Sequence, residues 1–222
     1  MSVATATNYF AAIAHIPVGA SLRVDDVAWE DYEQLMYDLR ESSAVRVFYD
    51  QGRMEIMSPL PAHEKPVKVL HRLITALSDE LNIDIESLGS STLKKELQDK
   101  GAEPDDCFYV QHAAQMIGRT DLDLHVDPPP DIAIESDLTS SSLDRFAIYA
   151  GLGVPELWRI SNQYVQIWLL RGTDYDVSET SLAFPFLTVD ALNEHLALGL
   201  AEGERKAARA FREWARTYSP SA

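Results

Sequence analysis

Glu103-Pro104-Asp105-Asp106 and, a loop later, Pro128-Pro129-Pro130-Asp131-Ile132-Ala133-Ile134-Glu135 decide how this chain folds and what it holds. Each is a Pro-Asp step running into a short apolar strand, and the second strand closes on a carboxylate. Side chains alternate faces along a strand, so Ile132 and Ile134 share one face and Asp131, Ala133 and Glu135 the other. Asp131 and Glu135 then stand about 13 Å apart at roughly 3.3 Å per residue, too far to share one ion. At most one of them joins Asp105 at a single divalent metal. Glu135 is the better partner, because a Glu closing an apolar strand is costly to bury without a counter-charge. The small Ala133 beside it leaves room. Asp131 reads as a cap or turn residue after three prolines. Asp105 and Glu135 also fit a plainer description, as loop-end acids in an acid-rich chain, and spacing alone does not choose between the two.

Around these stretches the hydrophobic pattern alternates between helical and extended periods. Trp29, Tyr32, Met36 and Leu39 recur at helical spacing between acids. Val45–Tyr49 and Arg53–Met57 flank Asp50-Gln51-Gly52, a hairpin with Gly52 at positive φ. A long helix is expected from about Glu64 to Leu81, with Pro66 tolerated in its first turn. Residues 83–95 read as one or two strands around Gly89, and Cys107–Val110 as another. Ser140-Ser141-Ser142 offers N-caps for a helix over 143–152, which Gly153 and Pro155 stop. Two strands, 156–160 and 165–170, turn at Asn162. Helices follow from Thr188 to about Leu200 and from Glu204 to Tyr218. This order implies a mixed α/β core sheet with helices on its faces. A weakly patterned lead-in covers 1–24, the main domain 25–200, and a helical extension 201–222.

The chain has 222 residues with 19 Lys and Arg against 35 Asp and Glu, a formal charge of −16. That argues against broad, non-specific nucleic-acid binding but leaves room for a local basic patch. Cys107 is the single cysteine, which excludes an intrachain disulfide and a cysteine-based metal site. The start of the chain is neither basic nor strongly apolar, and no run reaches the roughly 18 apolar residues of a membrane span, so a soluble cytoplasmic protein is expected. His63-Glu64 lacks a second histidine four residues on, and the six histidines form no ligand cluster, which rejects zinc. No nucleotide-binding glycine loop or Gly-x-Ser-x-Gly elbow is present.

Basic side chains do line two helices. Arg205, Arg209, Arg212 and Arg216 fall on one side of the last helix, and Lys65, Lys68 and Arg72 lie away from the leucines of the long one. A solvated face laced with acids is the plain description, and a phosphate-contacting strip the sharper one. The helix at 143–152 is apolar on two sides, so it is buried on two sides, against the terminal helices or another subunit. A homodimer is expected on that ground.

Met54-Glu-Ile-Met-Ser-Pro59, His63-Glu64, Glu103-Pro-Asp105, Pro130-Asp-Ile-Ala-Ile-Glu135 and Ser142-Leu-Asp-Arg-Phe-Ala-Ile-Tyr-Ala-Gly-Leu-Gly-Val-Pro-Glu-Leu-Trp158 together resemble the Uma-two family, classed as restriction endonucleases of the PD-(D/E)XK nuclease superfamily. The resemblance spans roughly 25–200. It implies a restriction-endonuclease-like central mixed sheet flanked by helices, with the active site at one sheet edge. It also implies that Asp105 and Glu135 hold a Mg²⁺ or Mn²⁺ ion, that Glu64 is the acid on the preceding helix, and that the substrate is DNA. The superfamily lysine would fall two residues after Glu135, where this chain has Asp137. Arg145 on the following helix, or Lys94 on the strand before Asp105, is the replacement the resemblance leaves. Arginine stabilises phosphate charge but is a poor general base. Two rivals stand beside the endonuclease: an interaction protein on a degenerate nuclease fold, and a hydrolase of small phosphate esters.

Overall fold

The computed structural model describes residues 13, 16–39, 45–58, 61–120, 122–136 and 143–218. Among them are eleven strands: β1 (Ser21–Val24), β2 (Arg46–Asp50), β3 (Arg53–Met57), β4 (Glu86–Ser87), β5 (Leu93–Lys95), β6 (Lys100–Ala102), β7 (Asp106–Tyr109), β8 (Ile132–Ser136), β9 (Glu156–Ser161), β10 (Tyr164–Arg171) and β11 (Asp174–Ser178). The helices are α1 (Trp29–Leu39), α2 (Pro61–Leu81), α3 (Ala113–Met116), α4 (Arg145–Leu152), α5 (Val189–Glu202) and α6 (Glu204–Ala215).

The class is mixed α/β, as the alternating periods imply. The strands form two sheets, and the larger is the expected mixed sheet with helices on its faces. The first has the order β1-β3-β2-β6-β5 and the second β11-β10-β9-β8-β7-β4. Only the second is mixed: β8 and β9 are parallel, and α4 makes the crossover between them. The β2–β3 hairpin turns through Gln51 (φ 49°) and Gly52 (φ 80°). That pair of positive φ values suits a two-residue turn whose twist matches the strands. Asn162 and Gln163 repeat the device between β9 and β10.

Three apolar clusters hold these layers. Tyr32, Leu35 and Met36 of α1 pack on Val47, Tyr49, Met54 and Ile56 of the first sheet. The other face of that sheet gives Phe48, Met57, Leu93 and Ala102 to a cluster with Ile148, Tyr149 and Leu152 of α4 and Ala133 and Leu157 of the second sheet. Ile132, Ile134, Trp158, Ile160 and Ile167 on the far face meet Leu70, Leu73, Ile74 and Leu77 of α2, Leu192 and Leu196 of α5, and Ala207 and Phe211 of α6. Helix α4 is thus enclosed on both sides within the chain. Its Phe146 lies edge-on to Trp168 and Tyr175, 4.9 and 5.6 Å between centroids. That cover comes from β10 and β11, not from the terminal helices.

Several boundaries differ from those read in the sequence. Ser21–Val24, placed in the lead-in, pairs with β3 as an edge strand. Helix α6, placed in an extension, gives Ala207, Phe211 and Ala215 to the core. Helix α2 starts at Pro61, so Pro66 sits in its second turn, leaving a carbonyl one turn back without its helical partner. Ser140–Ser142 and Asp137 lie outside the described residues. The observed N-cap of α4 is Asp144, whose Oδ1 accepts the Ala147 N–H at 3.2 Å. Thr188 caps α5 in the same way, accepting from Ala191.

Candidate active site

Alternation along β7 and β8 sends Asp105 and Glu135 to the face shared with Ala133, toward α4, and sends Asp106, Ile132 and Ile134 to the α2 face. The register sets Asp106 opposite Ile134, and the Asp105 N–H donates to the Ile134 carbonyl at 3.0 Å. Asp105 Oδ2 accepts the Ser136 N–H at 2.7 Å, so its carboxylate reaches across to the end of β8 beside Glu135. The two acids therefore meet at one end of the second sheet.

Each is answered by an arginine. Arg145, at the first turn of α4, donates from Nη1 to Glu135 Oε2 at 2.7 Å. Its guanidinium lies 3.6 Å from the Phe48 ring centroid, and its Nη2 is 3.9 Å from Glu55 Oε2. Arg46, at the start of β2, is 3.9 Å from Asp105 Oδ1 through Nε and 3.9 Å from Glu64 Oε1 through Nη2. Glu64 stands on the first turns of α2, so that helix reaches around the sheet edge to the site. The Tyr149 hydroxyl donates to Glu135 Oε1. Arg159, the register neighbour of Glu135 on the parallel strand β9, faces the same way and lies over Phe146.

Burial dominates the electrostatics. Glu135 is 5% exposed, and its carboxyl is lifted to about 7 by the balance of several causes, with desolvation the largest. Asp105 raises it further, while Arg145 and the Tyr149 hydrogen bond pull it down. Asp105 is also pushed up, first by burial and then by Glu64, against the Ser136 N–H, Arg46 and Arg145. Tyr149 is driven well above its ordinary value by burial and by Glu135. Each of the two carboxyls is thus harder to ionise here than in water, and Asp105 adds to that effect at Glu135.

Lys94 is elsewhere. It pairs across the strands with Gly101, on the face that meets Tyr32 of α1, and its ammonium holds Glu33 at 2.6 Å. Asp131 accepts the Val110 and His112 N–H groups at 2.7 and 3.1 Å and the His112 ring at 2.7 Å, the turn-capping role its position after three prolines implies. Glu103, in the same Pro-Asp step as Asp105, takes the Val47 N–H at 2.9 Å and the Thr92 hydroxyl at 3.1 Å, tying β2 to the strand that carries the acids. Sequence pattern passed over Arg46, Glu55 and Tyr149. A signal for Glu55 was available: it is a carboxylate between Met54 and Ile56 in a buried hairpin strand, and it is fully buried.

As a metal centre the donor set is narrow. Among the described residues no three His, Cys, Asp or Glu side chains are grouped closely enough to hold an ion. Asp105 and Glu135 supply two hard oxygen donors, which suits Mg²⁺, an ion that takes one or two carboxylates and completes its shell with water and substrate phosphate. With Glu55 and Glu64 the site has four carboxylates against two guanidiniums, Arg46 and Arg145. If all four ionise, the excess of two negative charges equals the charge of one divalent cation. The residues fit the ion.

A family model described as "Uma2: Putative restriction endonuclease" matches residues 29–201. No curated protein matches the chain. Among solved structures, the crystal structure of "a putative nuclease belonging to DUF820 from Anabaena variabilis" is similar over 68% of this chain and 90% of its own, at 15% identity and a TM-score of 0.45. Among the described residues no helix is long and apolar enough to cross a membrane.

Proposed function

Starting from the Uma2 restriction-endonuclease family, to which this chain belongs, we propose that it hydrolyses phosphodiester bonds in DNA at the Asp105–Glu135 site with Mg²⁺ or Mn²⁺. The observation that carries this is the buried carboxylate pair at one sheet end, with Glu135 lifted to about 7 and Asp105 among the causes. A bound Mg²⁺ supplies Lewis acidity there, lowering the pKa of water and offsetting charge on the phosphate.

The rest is the work of side chains. Asp105 is held in place by the Ser136 N–H and Glu135 by the Tyr149 hydroxyl, so both donors are oriented before a ligand arrives. Glu64 adds negative charge beside Arg46 and would help hold the ion. The neighbours of Arg145 include Glu135, Glu55, the Met57 sulfur and the Phe48 face. With a divalent ion bound at Asp105 and Glu135, the Arg145 guanidinium would stabilise the non-bridging oxygens of the scissile phosphate, where charge grows in the transition state. Lys94, bound to Glu33, has no part in that step.

A specific observation favours a second function. Arg145 and Tyr149 already take both oxygens of Glu135, the charge-neutral arrangement of a degenerate site on an interaction protein. Calorimetric titration of Mn²⁺ into wild type and Glu135→Gln, with and without a short DNA duplex, separates the two. The nuclease requires binding that Glu135→Gln removes. A wild type that takes up no Mn²⁺ even with the duplex present would sink it.

A further inference from the structure

Among the described residues, one turn of α2 carries two exposed cations with no ion-pair partner. On α6 Arg212 holds Asp79 and just past its end Arg216 holds Glu80, each at 2.7 Å, and on α2 Lys65 holds Glu204 at 2.5 Å. These are the acid-laced faces expected of a solvated helix. Lys68 and Arg72 differ. Both are exposed, they are four residues apart on α2 and so neighbours on its surface, and neither has an ion pair or hydrogen bond among the described residues. Between them in the same turn stands His71, 44% exposed in its side chain, with Nδ1 fixed 2.7 Å from Asp106 Oδ2. Asp106 is buried and is itself held by the Cys107 N–H at 3.0 Å and the Ser87 hydroxyl at 3.4 Å. A carboxylate only accepts, so Nδ1 carries the hydrogen, which leaves the neutral imidazole no donor for a phosphate and the contacts of this turn to Lys68 and Arg72.

Placement gives this turn a partner. Lys68 is one helical turn, about 6 Å, beyond Glu64, which shares Arg46 with Asp105. A strand whose phosphate sits at Asp105 and Glu135 thus meets the Glu64 end of α2 and runs on toward Lys68. We propose that Lys68 and Arg72 form a contact track for the DNA backbone that extends the active site along α2, a track that rests on the nuclease function proposed above. In a chain of charge −16, such a track sets where DNA docks, because the rest of the surface repels it.

The test is fluorescence anisotropy of a labelled 20-base-pair duplex on the full chain, with Ca²⁺ in place of Mg²⁺, across a salt series. Lys68→Ala/Arg72→Ala removes two phosphate contacts and should flatten the slope of log affinity against log salt by about 1.8. The charge-matched control Lys206→Ala/Arg209→Ala on α6 should leave the slope unchanged. All four positions are surface positions, and circular dichroism checks that each variant is folded. A wild type that binds the duplex while Lys68→Ala/Arg72→Ala keeps its slope overturns the track and leaves the nuclease standing. A wild type with no salt-sensitive duplex binding overturns both. A slope flattened equally by the α6 control also overturns the track, since charge alone would then explain the effect.

Discussion

Replacing Glu135 with glutamine should make the protein more stable at alkaline pH. The carboxyl is lifted from its ordinary 4.5 to about 7, with burial as the first cause and Asp105 adding to it. The folded state thus keeps the proton of Glu135 to higher pH than the unfolded chain does. This group's contribution to stability is fully present below about pH 4.5 and is lost as pH rises through about 7. The difference corresponds to about 3 kcal/mol at pH 8. Glutamine has the same shape and no charge to desolvate. Its carbonyl accepts from Arg145 and its amide donates to the Tyr149 oxygen, so neither neighbour is stranded. Glu135→Gln should therefore melt higher than wild type at pH 8, by up to about 6–12 °C for a chain of this size, with the gap closing toward zero near pH 4.5. Thermal melts followed by circular dichroism from pH 4.5 to 8 measure it. Added Mg²⁺ should narrow the gap at pH 8 by stabilising the ionised wild type alone. A variant less stable than wild type at pH 8, or a gap that ignores pH, would refute the claim that Glu135 is a buried, strained acid.

Arg145→Met removes the only cation hydrogen-bonded to Glu135 among the described residues and also leaves Glu55 without its guanidinium. Urea denaturation at pH 8 should show a loss of about 3–5 kcal/mol, shrinking on acidification as Glu135 takes up its proton. Asp131→Ala breaks three hydrogen bonds at the turn before α3 and should cost about 1–3 kcal/mol while leaving the metal response of the protein intact. Gly101→Ala would put a methyl 2.1 Å from the Tyr32 hydroxyl, inside the stacked Tyr32–Tyr49 pair, and should cost about 1–3 kcal/mol by the same denaturation assay.

The two halves of the candidate site were unequally visible in the chain. Asp105 opens a short apolar strand and Glu135 closes one, and the burial cost of a Glu at a strand end is what prefers Glu135 to Asp131. Their cationic partners did not stand out. Arg46 belongs to the first sheet and reaches Asp105 only because that sheet packs across α4, a long-range fact with no local periodicity. Nothing in the helical pattern marks Tyr149, yet its hydroxyl donates to Glu135. Lys94 was drawn toward the site by its place on the strand before Asp105, but pairing with Gly101 fixes its side chain on the α1 face. The hairpin, α2 and the β9–β10 turn were legible from turn chemistry and 3.6-residue spacing. The split into two sheets was not, since strand pairing between β2 and β6 is decided about fifty residues apart in sequence.

The most direct measurement is nicking of supercoiled plasmid across a Mg²⁺ titration by wild type, Asp105→Asn and Asp131→Asn. The account predicts Mg²⁺-dependent nicking by wild type and Asp131→Asn, and a rate lower by about 100-fold or more for Asp105→Asn at every Mg²⁺ concentration. Asp105→Asn cutting as fast as wild type, or a wild type that never nicks, would contradict it.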